Sequence, residues 1–168
     1  SWGNDETVDI GGYQGKSYDI TLSWCLIAQG LDDPAPESNH GYGMNIGSHY
    51  QTGGQPVTVT VHHSYIAHFK DRMPYVVYNG QVDWRNNVVY NWYSRLSQQL
   101  QDVISGENHY ANTWANFVNN YTKPGPMFDD NGTLTCGVDT AGTFYIGTNG
   151  VIADPAEARG QFYVSGNS

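Results

Sequence analysis

Asp5 and Asp9 stand four residues apart in Ser1-Trp-Gly-Asn-Asp-Glu-Thr-Val-Asp-Ile. Side chains alternate along an extended strand, so residues four apart share a side and both carboxylates can reach one cation. Glu6 falls on the other side. Calcium is the cation that suits such a set, because it takes several oxygen ligands. From the residues alone, two solvated acids at a strand edge is the better reading. Arg72 follows Lys70 by two residues in Lys70-Asp-Arg-Met-Pro. Read by itself, it is a surface arginine contacting a nearby carboxylate. His40 lies in a loop where it could touch a ligand. His62 and His63 are adjacent, so one is expected to pack and the other to face outward. No histidines show the His-x-x-x-His spacing of a helical metal site.

The elements that would position these residues are strands. Charged residues make up only 14% of the chain, and 20 Gly and 13 Tyr occupy much of the rest. Tyr, Val and Thr suit pleated surfaces, while Gly and Asn tolerate turns. With 39% hydrophobic residues in 168, the chain reads as one domain, 1–168, able to bury a core. Its net charge of −9 argues against nucleic acid and anionic membrane surfaces as partners. That charge suits cation binding or, more blandly, solubility. No stretch is long and apolar enough to cross a membrane. Cys25 and Cys136 have no metal-ligand spacing; a long-range disulfide and two buried thiols both fit. The sequons Asn120-Tyr-Thr and Asn131-Gly-Thr weakly favour an extracytoplasmic location.

Several runs share a form. Thr21-Leu-Ser-Trp-Cys-Leu-Ile is similar to Thr60-Val-His-His-Ser-Tyr-Ile. Val82-Asp-Trp-Arg-Asn-Asn-Val-Val, Ala115-Asn-Phe-Val-Asn-Asn-Tyr and Phe162-Tyr-Val-Ser-Gly-Asn follow the same plan. A small or amide residue ends each alternating stretch: Cys25, Ser64, Asn87, Asn120 and Asn167. The intervals are 39, 23, 33 and 47 residues. The shortest is close to one turn of a solenoid, and the longer ones fit turns with inserted loops. Stacked Asn amides are expected to donate to one neighbour and accept from the other. The fold class is therefore all-β, a right-handed parallel β-helix, with a β-sandwich as the second choice. Ser94–Val103 is the one expected helix, from Leu96, Leu100 and Val103. Gly30–Gly43 is expected as a surface loop, and 127–160 as a loop-rich insertion.

These segments resemble polysaccharide lyase family one, the pectate lyases and their relatives. The strand holding Asp5 and Asp9, Ser23-Trp-Cys, Gly43-Met-Asn-Ile-Gly, Val61-His-His-Ser-Tyr-Ile, Asp71-Arg-Met-Pro-Tyr-Val-Val-Tyr-Asn-Gly and Asn86-Asn-Val-Val-Tyr-Asn-Trp match in order. Val118-Asn-Asn-Tyr-Thr-Lys-Pro-Gly-Pro completes the run to about residue 126. The resemblance implies a secreted enzyme cleaving pectate or pectin by β-elimination, in which a base takes the C5 proton of a uronate and the C4 oxygen leaves. It implies Ca2+ as cofactor, Asp5 and Asp9 as ligands, and Arg72 as the catalytic residue. An arginine base is chemically demanding, since its pKa is normally above about 12. Charge stabilisation without proton transfer is the alternative role. Tyr42 stands where the family places a lysine, and Val77 where it places a second arginine. Tyr42, His40 and Lys70 are then the candidates to contact substrate, and the lost cations favour esterified pectin over bare pectate. Tyr75, Tyr78, Trp84 and Tyr90 could stack on sugar rings, although most aromatics in such a chain are core or ladder residues. Family members are about twice as long, so the β-helix is expected to be truncated at both ends and covered at one end by the remainder of the polypeptide or by a partner. A carbohydrate-binding or structural β-helix without catalysis is the competing function.

Overall fold

The computed structural model describes residues 6–11, 18–30, 41–47, 56–70, 72–77, 80–92, 98–101, 114–123, 125–126, 161–166 and 168. Three short strands recur in each coil. β1 (Glu6–Ile10), β2 (Ile20–Ser23) and β3 (Leu26–Ala28) form the first coil. β4 (Tyr42–Ile46), β5 (Val57–His62) and β6 (Tyr65–Ala67) form the second. β7 (Tyr75–Val77), β8 (Gly80–Arg85) and β9 (Val88–Tyr90) form the third. β10 (Gln98–Gln101), β11 (Trp114–Val118) and β12 (Tyr121–Lys123) form the fourth, and β13 (Gln161–Ser165) stacks on β11 as part of a fifth. Each strand pairs in parallel with its counterpart one coil away. The sheets run β1-β4-β7-β10, β2-β5-β8-β11-β13 and β3-β6-β9-β12. This is a parallel β-helix. A sandwich of antiparallel strands is excluded among the described residues.

Stacking like on like builds the core. Leu22, Val61, Trp84 and Phe117 occupy one register column of the second sheet, and Ile20, Val59, Val82 and Ala115 another. Ile27, Ile66 and Val89 face them from the third sheet, and Ile10, Ile46 and Val76 from the first. The chain turns at the end of each second-sheet strand at Trp24, His63, Asn86, Asn119 and Gly166, all with φ between 52° and 64°. Asn carries this left-handed backbone with little penalty. β1, β2 and β3 lie at one edge of the sheets, where Val8, Ile20, Leu22 and Cys25 pack on the core while only partly buried.

The intervals read from the sequence recur as hydrogen bonds. The Cys25 N–H donates to Ser64 Oγ at 3.1 Å, Ser64 N–H to Asn87 Oδ1 at 3.0 Å, and Asn87 N–H to Asn120 Oδ1 at 3.0 Å. The expectation that the amides bridge two neighbours is not met. Both ends of each side chain grip the preceding coil: Asn87 Nδ2 donates to the Val61 carbonyl and Asn120 Nδ2 to that of Trp84, each at 2.9 Å. The upward link runs through the backbone N–H. Asn120 is 1% exposed, so the folded chain cannot carry a glycan there. Asn131, Asn167, Cys136 and residues 127–160 lie outside the described residues; Cys25 is a free thiol.

Two element boundaries differ from expectation. Gln98–Gln101 is a strand pairing with β7, where a helix was expected. Parallel pairing on an open edge supplies backbone partners that override a weak helical pattern. The expected loop Gly30–Gly43 yields earlier than foreseen, because β4 begins at Tyr42 and pairs with β1.

Candidate functional site

The described candidate residues lie on and beside the first sheet. Alternation sends Ile10, Ile46 and Val76 into the core and leaves Asp9, Asn45 and Tyr75 as a register row on the opposite face. Asn45 Nδ2 donates to Asp9 Oδ1 at 3.1 Å. Asn45 is buried while Asp9 is exposed, so a fixed amide orients a carboxylate that solvent can reach.

Arg72 reaches this sheet from the strand approach to β7. The Met44 N–H donates to the Arg72 carbonyl at 2.7 Å, and Met44 pairs with Val8 on β1. Three coils thereby place Val8, Met44 and Arg72 side by side. The guanidinium forms an ion pair with the Glu6 carboxylate through Nη1 and Oε1. Its Cζ lies 3.8 Å from the Tyr42 ring centroid and 4.9 Å from that of Tyr75. Arg72 has φ 64°, a conformation that costs a non-glycine residue about 1 kcal/mol or more and persists only where surroundings fix it. The Met73-Pro74 peptide that follows is cis. Lys70 joins the cluster through its backbone, donating to the Gly41 carbonyl at 2.9 Å beside Tyr42.

The fold thus brings Arg72 against Tyr42, with the Lys70 backbone beside them, while Asp9 lies on β1 on the face away from Glu6. Asp5 and His40 lie outside the described residues. Sequence reasoning left out Glu6 and Asn45 as site residues and offered Tyr75 only as an aromatic that could stack on sugar. Alternation sent Glu6 away from Asp9, and so it is, but that is the side Arg72 approaches. A partner 66 residues distant leaves no local signal. Trp84 and Tyr75 are buried, which removes both as sugar platforms; Tyr90 meets His68 edge-on at 5.7 Å, and Tyr78 lies outside the described residues. His62 and His63 do not face opposite sides. The left-handed turn at His63 ends the alternation and brings their Nδ1 atoms within 2.8 Å, with His63 stacked on Trp24 at 4.8 Å.

Calcium asks for about six to eight oxygen ligands. Among the described residues no three of His, Cys, Asp and Glu gather as a metal site. Asp9 supplies a carboxylate, while that of Glu6 is on Arg72. These donors alone do not fit a calcium site. A cavity lies elsewhere, against Leu26, Ile27, Tyr65 and His68 with Thr7 and Val8 at its wall. Of the candidate site residues Asp9, Tyr42, Lys70 and Arg72, none lines it.

Gly43 lets β4 and Arg72 approach. A Cβ there would lie 2.6 Å from the Arg72 carbonyl oxygen and 2.9 Å from Met73 Cγ. Gly43→Ala should therefore cost about 1–3 kcal/mol through overpacking. A thermal melt checks this; an unchanged midpoint would show that the coils separate freely here.

Over 126 residues, 75% of the chain, the sequence is 35% identical to "Probable pectate lyase C" of Aspergillus terreus. The chain spans 24% of the length of that relative. No family model matches the chain, and no solved structure matches it.

Proposed function

We propose that this chain, a distant homologue of a probable pectate lyase over part of the domain, cleaves uronate polymers, pectate or pectin, by β-elimination. The observation that supports this reading is the meeting of Arg72 with Tyr42 and Glu6 on the first sheet, from three successive coils, with Asp9 on the same strand as Glu6. In the reaction a proton leaves C5, the electrons of the C5–H bond form the C4–C5 double bond, and the C4–O bond breaks with its electron pair on the leaving oxygen, which takes up a proton. Arg72 is the group proposed to act at C5, either taking the proton or holding the negative charge that develops on the neighbouring carboxyl. Lys70 and Tyr42, with His40 from outside the described residues, are proposed to contact the polymer.

Ca2+ belongs to the proposal through Asp9 and Asp5, as the family uses it; no chemical step here is routed through it. The polymer is extracellular, so the reading places the protein outside the cell. The site also carries fewer cations than the family pattern, with Tyr42 and Val77 in place of two. Esterified pectin is accordingly the proposed better substrate.

Formation of unsaturated uronate, followed by ultraviolet absorbance on pectate and on pectin, tests the reading. Product is expected on at least one polymer and should fall when calcium is chelated. Glycan binding with no product on either would favour the binding module instead. Product that is indifferent to chelation would remove the metal from the scheme.

A further inference from the structure

We infer that Glu6 is a positioning residue for Arg72, and that it acts together with the ring of Tyr42. The kinetic half of this inference rests on the lyase reading; the structural half does not. A guanidinium is planar, with five N–H donors in a fixed fork. Holding it requires fixing both its plane and its rotation within that plane. Tyr42 sets the plane, because Cζ sits 3.8 Å from its ring centroid. Tyr75 adds a second aromatic contact at 4.9 Å. Glu6 sets the rotation by accepting from Nη1.

The backbone reinforces this arrangement. Glu6 and Tyr42 are register partners on adjacent strands, so carboxylate and ring are carried one coil apart on the same side. The Met44-to-Arg72 hydrogen bond anchors the Arg72 main chain to the same strand that bears Tyr42. Glu6 is only 10% exposed at its side chain and Arg72 is 27% exposed. The carboxylate is thus shielded beneath the cation, whose outer part meets solvent. Such a pair presents donors outward while its orientation is fixed from within. Surface ion pairs contribute little to stability. Orientation of a reacting group is another matter, since a displacement of about 1 Å can cost about 100-fold in rate.

The assignment also accounts for Tyr42 standing where a lysine would otherwise sit. An ammonium there would place a second cation against Arg72 and compete for Glu6. A tyrosine gives the guanidinium a face to lie on.

Two measurements on the full chain test this. The first needs no turnover. In the arginine side-chain region of an amide NMR spectrum, Arg72 should give a distinct Nε–H signal, assigned by its disappearance in Arg72→Lys. That signal should shift and broaden toward free-arginine behaviour in Glu6→Gln and in Tyr42→Leu, and persist in Tyr42→Phe. An unchanged signal in Glu6→Gln and Tyr42→Leu would overturn the inference whatever the activity. The second is a kinetic cycle. Glu6→Ala should lower kcat about 10- to 100-fold with KM changed less, and Glu6→Gln should lie between it and the parent. In an Arg72→Ala background, Glu6→Ala should cause no further loss. Independent, multiplying losses would sink the positioning role and leave the lyase reading standing. A parent chain without turnover would sink the lyase reading, and the NMR arm would still decide the positioning of Arg72. Should Glu6→Ala fail to fold, Glu6→Gln carries both arms.

Discussion

Replacing Arg72 by alanine should lower kcat/KM on uronate polymers by roughly 10²- to 10⁴-fold, the range for losing a positioned acid–base or charge-stabilising group. The expectation follows from the neighbourhood of the guanidinium. Asp9 and Asn45 are on the strands beside it, and Tyr42 and Glu6 hold it. Of the other described cations, Lys70 bonds to the Gly41 carbonyl through its backbone N–H, and Arg85 pairs with Asp83 on the second sheet. Alanine would also leave Glu6 without its ion pair and would retain the strained φ of 64°. Some stability is therefore expected to go with the activity, and Arg72→Lys is the control. Lysine keeps the charge but has no planar fork. If geometry matters as argued, Arg72→Lys also loses most of its turnover while melting close to the parent. Turnover surviving in both variants would mean that the reacting group lies elsewhere on the chain.

The contrast between Arg72 and the helix expected at Ser94–Val103 shows what a sequence carries. The coil repeat was legible because it recurs: four intervals, each closed by a small or amide residue, leave a pattern that chance seldom makes. The stacking of Cys25, Ser64, Asn87 and Asn120 then follows in register. Leu96, Leu100 and Val103 offer only a single occurrence of helical spacing. An open parallel edge at β7 outweighs it over Gln98–Gln101. Arg72 and Asp9 were legible only through resemblance, since neither residue type nor spacing distinguishes them from surface charges. Glu6 was not legible at all. Its role depends on which coil passes over it, and that is decided by the lengths of the loops between coils. The surface reading of Arg72, a contact with a nearby carboxylate, turns out to describe the same residue as the catalytic reading.

The Asn ladder should be the most costly polar feature to disturb. Asn87→Ala would remove two buried hydrogen bonds at once and leave the Val61 carbonyl and the Ser64 N–H unpaired. Each buried group stranded in this way costs about 1–3 kcal/mol, so about 3 kcal/mol is expected for the pair. At about 2–4 °C per kcal/mol for a chain of this size, the melting temperature should fall by roughly 6–12 °C. The type of replacement separates hydrogen bonding from packing. Ser64 shows that a hydroxyl at this corner can accept from the coil before it while donating to the His62 carbonyl of its own coil. Asn87→Ser should therefore recover part of the loss. Asn87→Asp keeps the acceptor for Ser64 but removes the donor and buries a charge at a position 1% exposed, so it should be worse than alanine near neutral pH. The predicted order of stability is Asn, Ser, Ala, Asp. A β-helix is stabilised by contacts between neighbouring coils, and this amide is one of the few side chains that joins them through specific polar bonds. If Asn87→Ala shifted the melt by no more than an exposed substitution does, coil stacking would rest on the apolar columns alone. Val61, Trp84 and Phe117 would then be sufficient to hold the register.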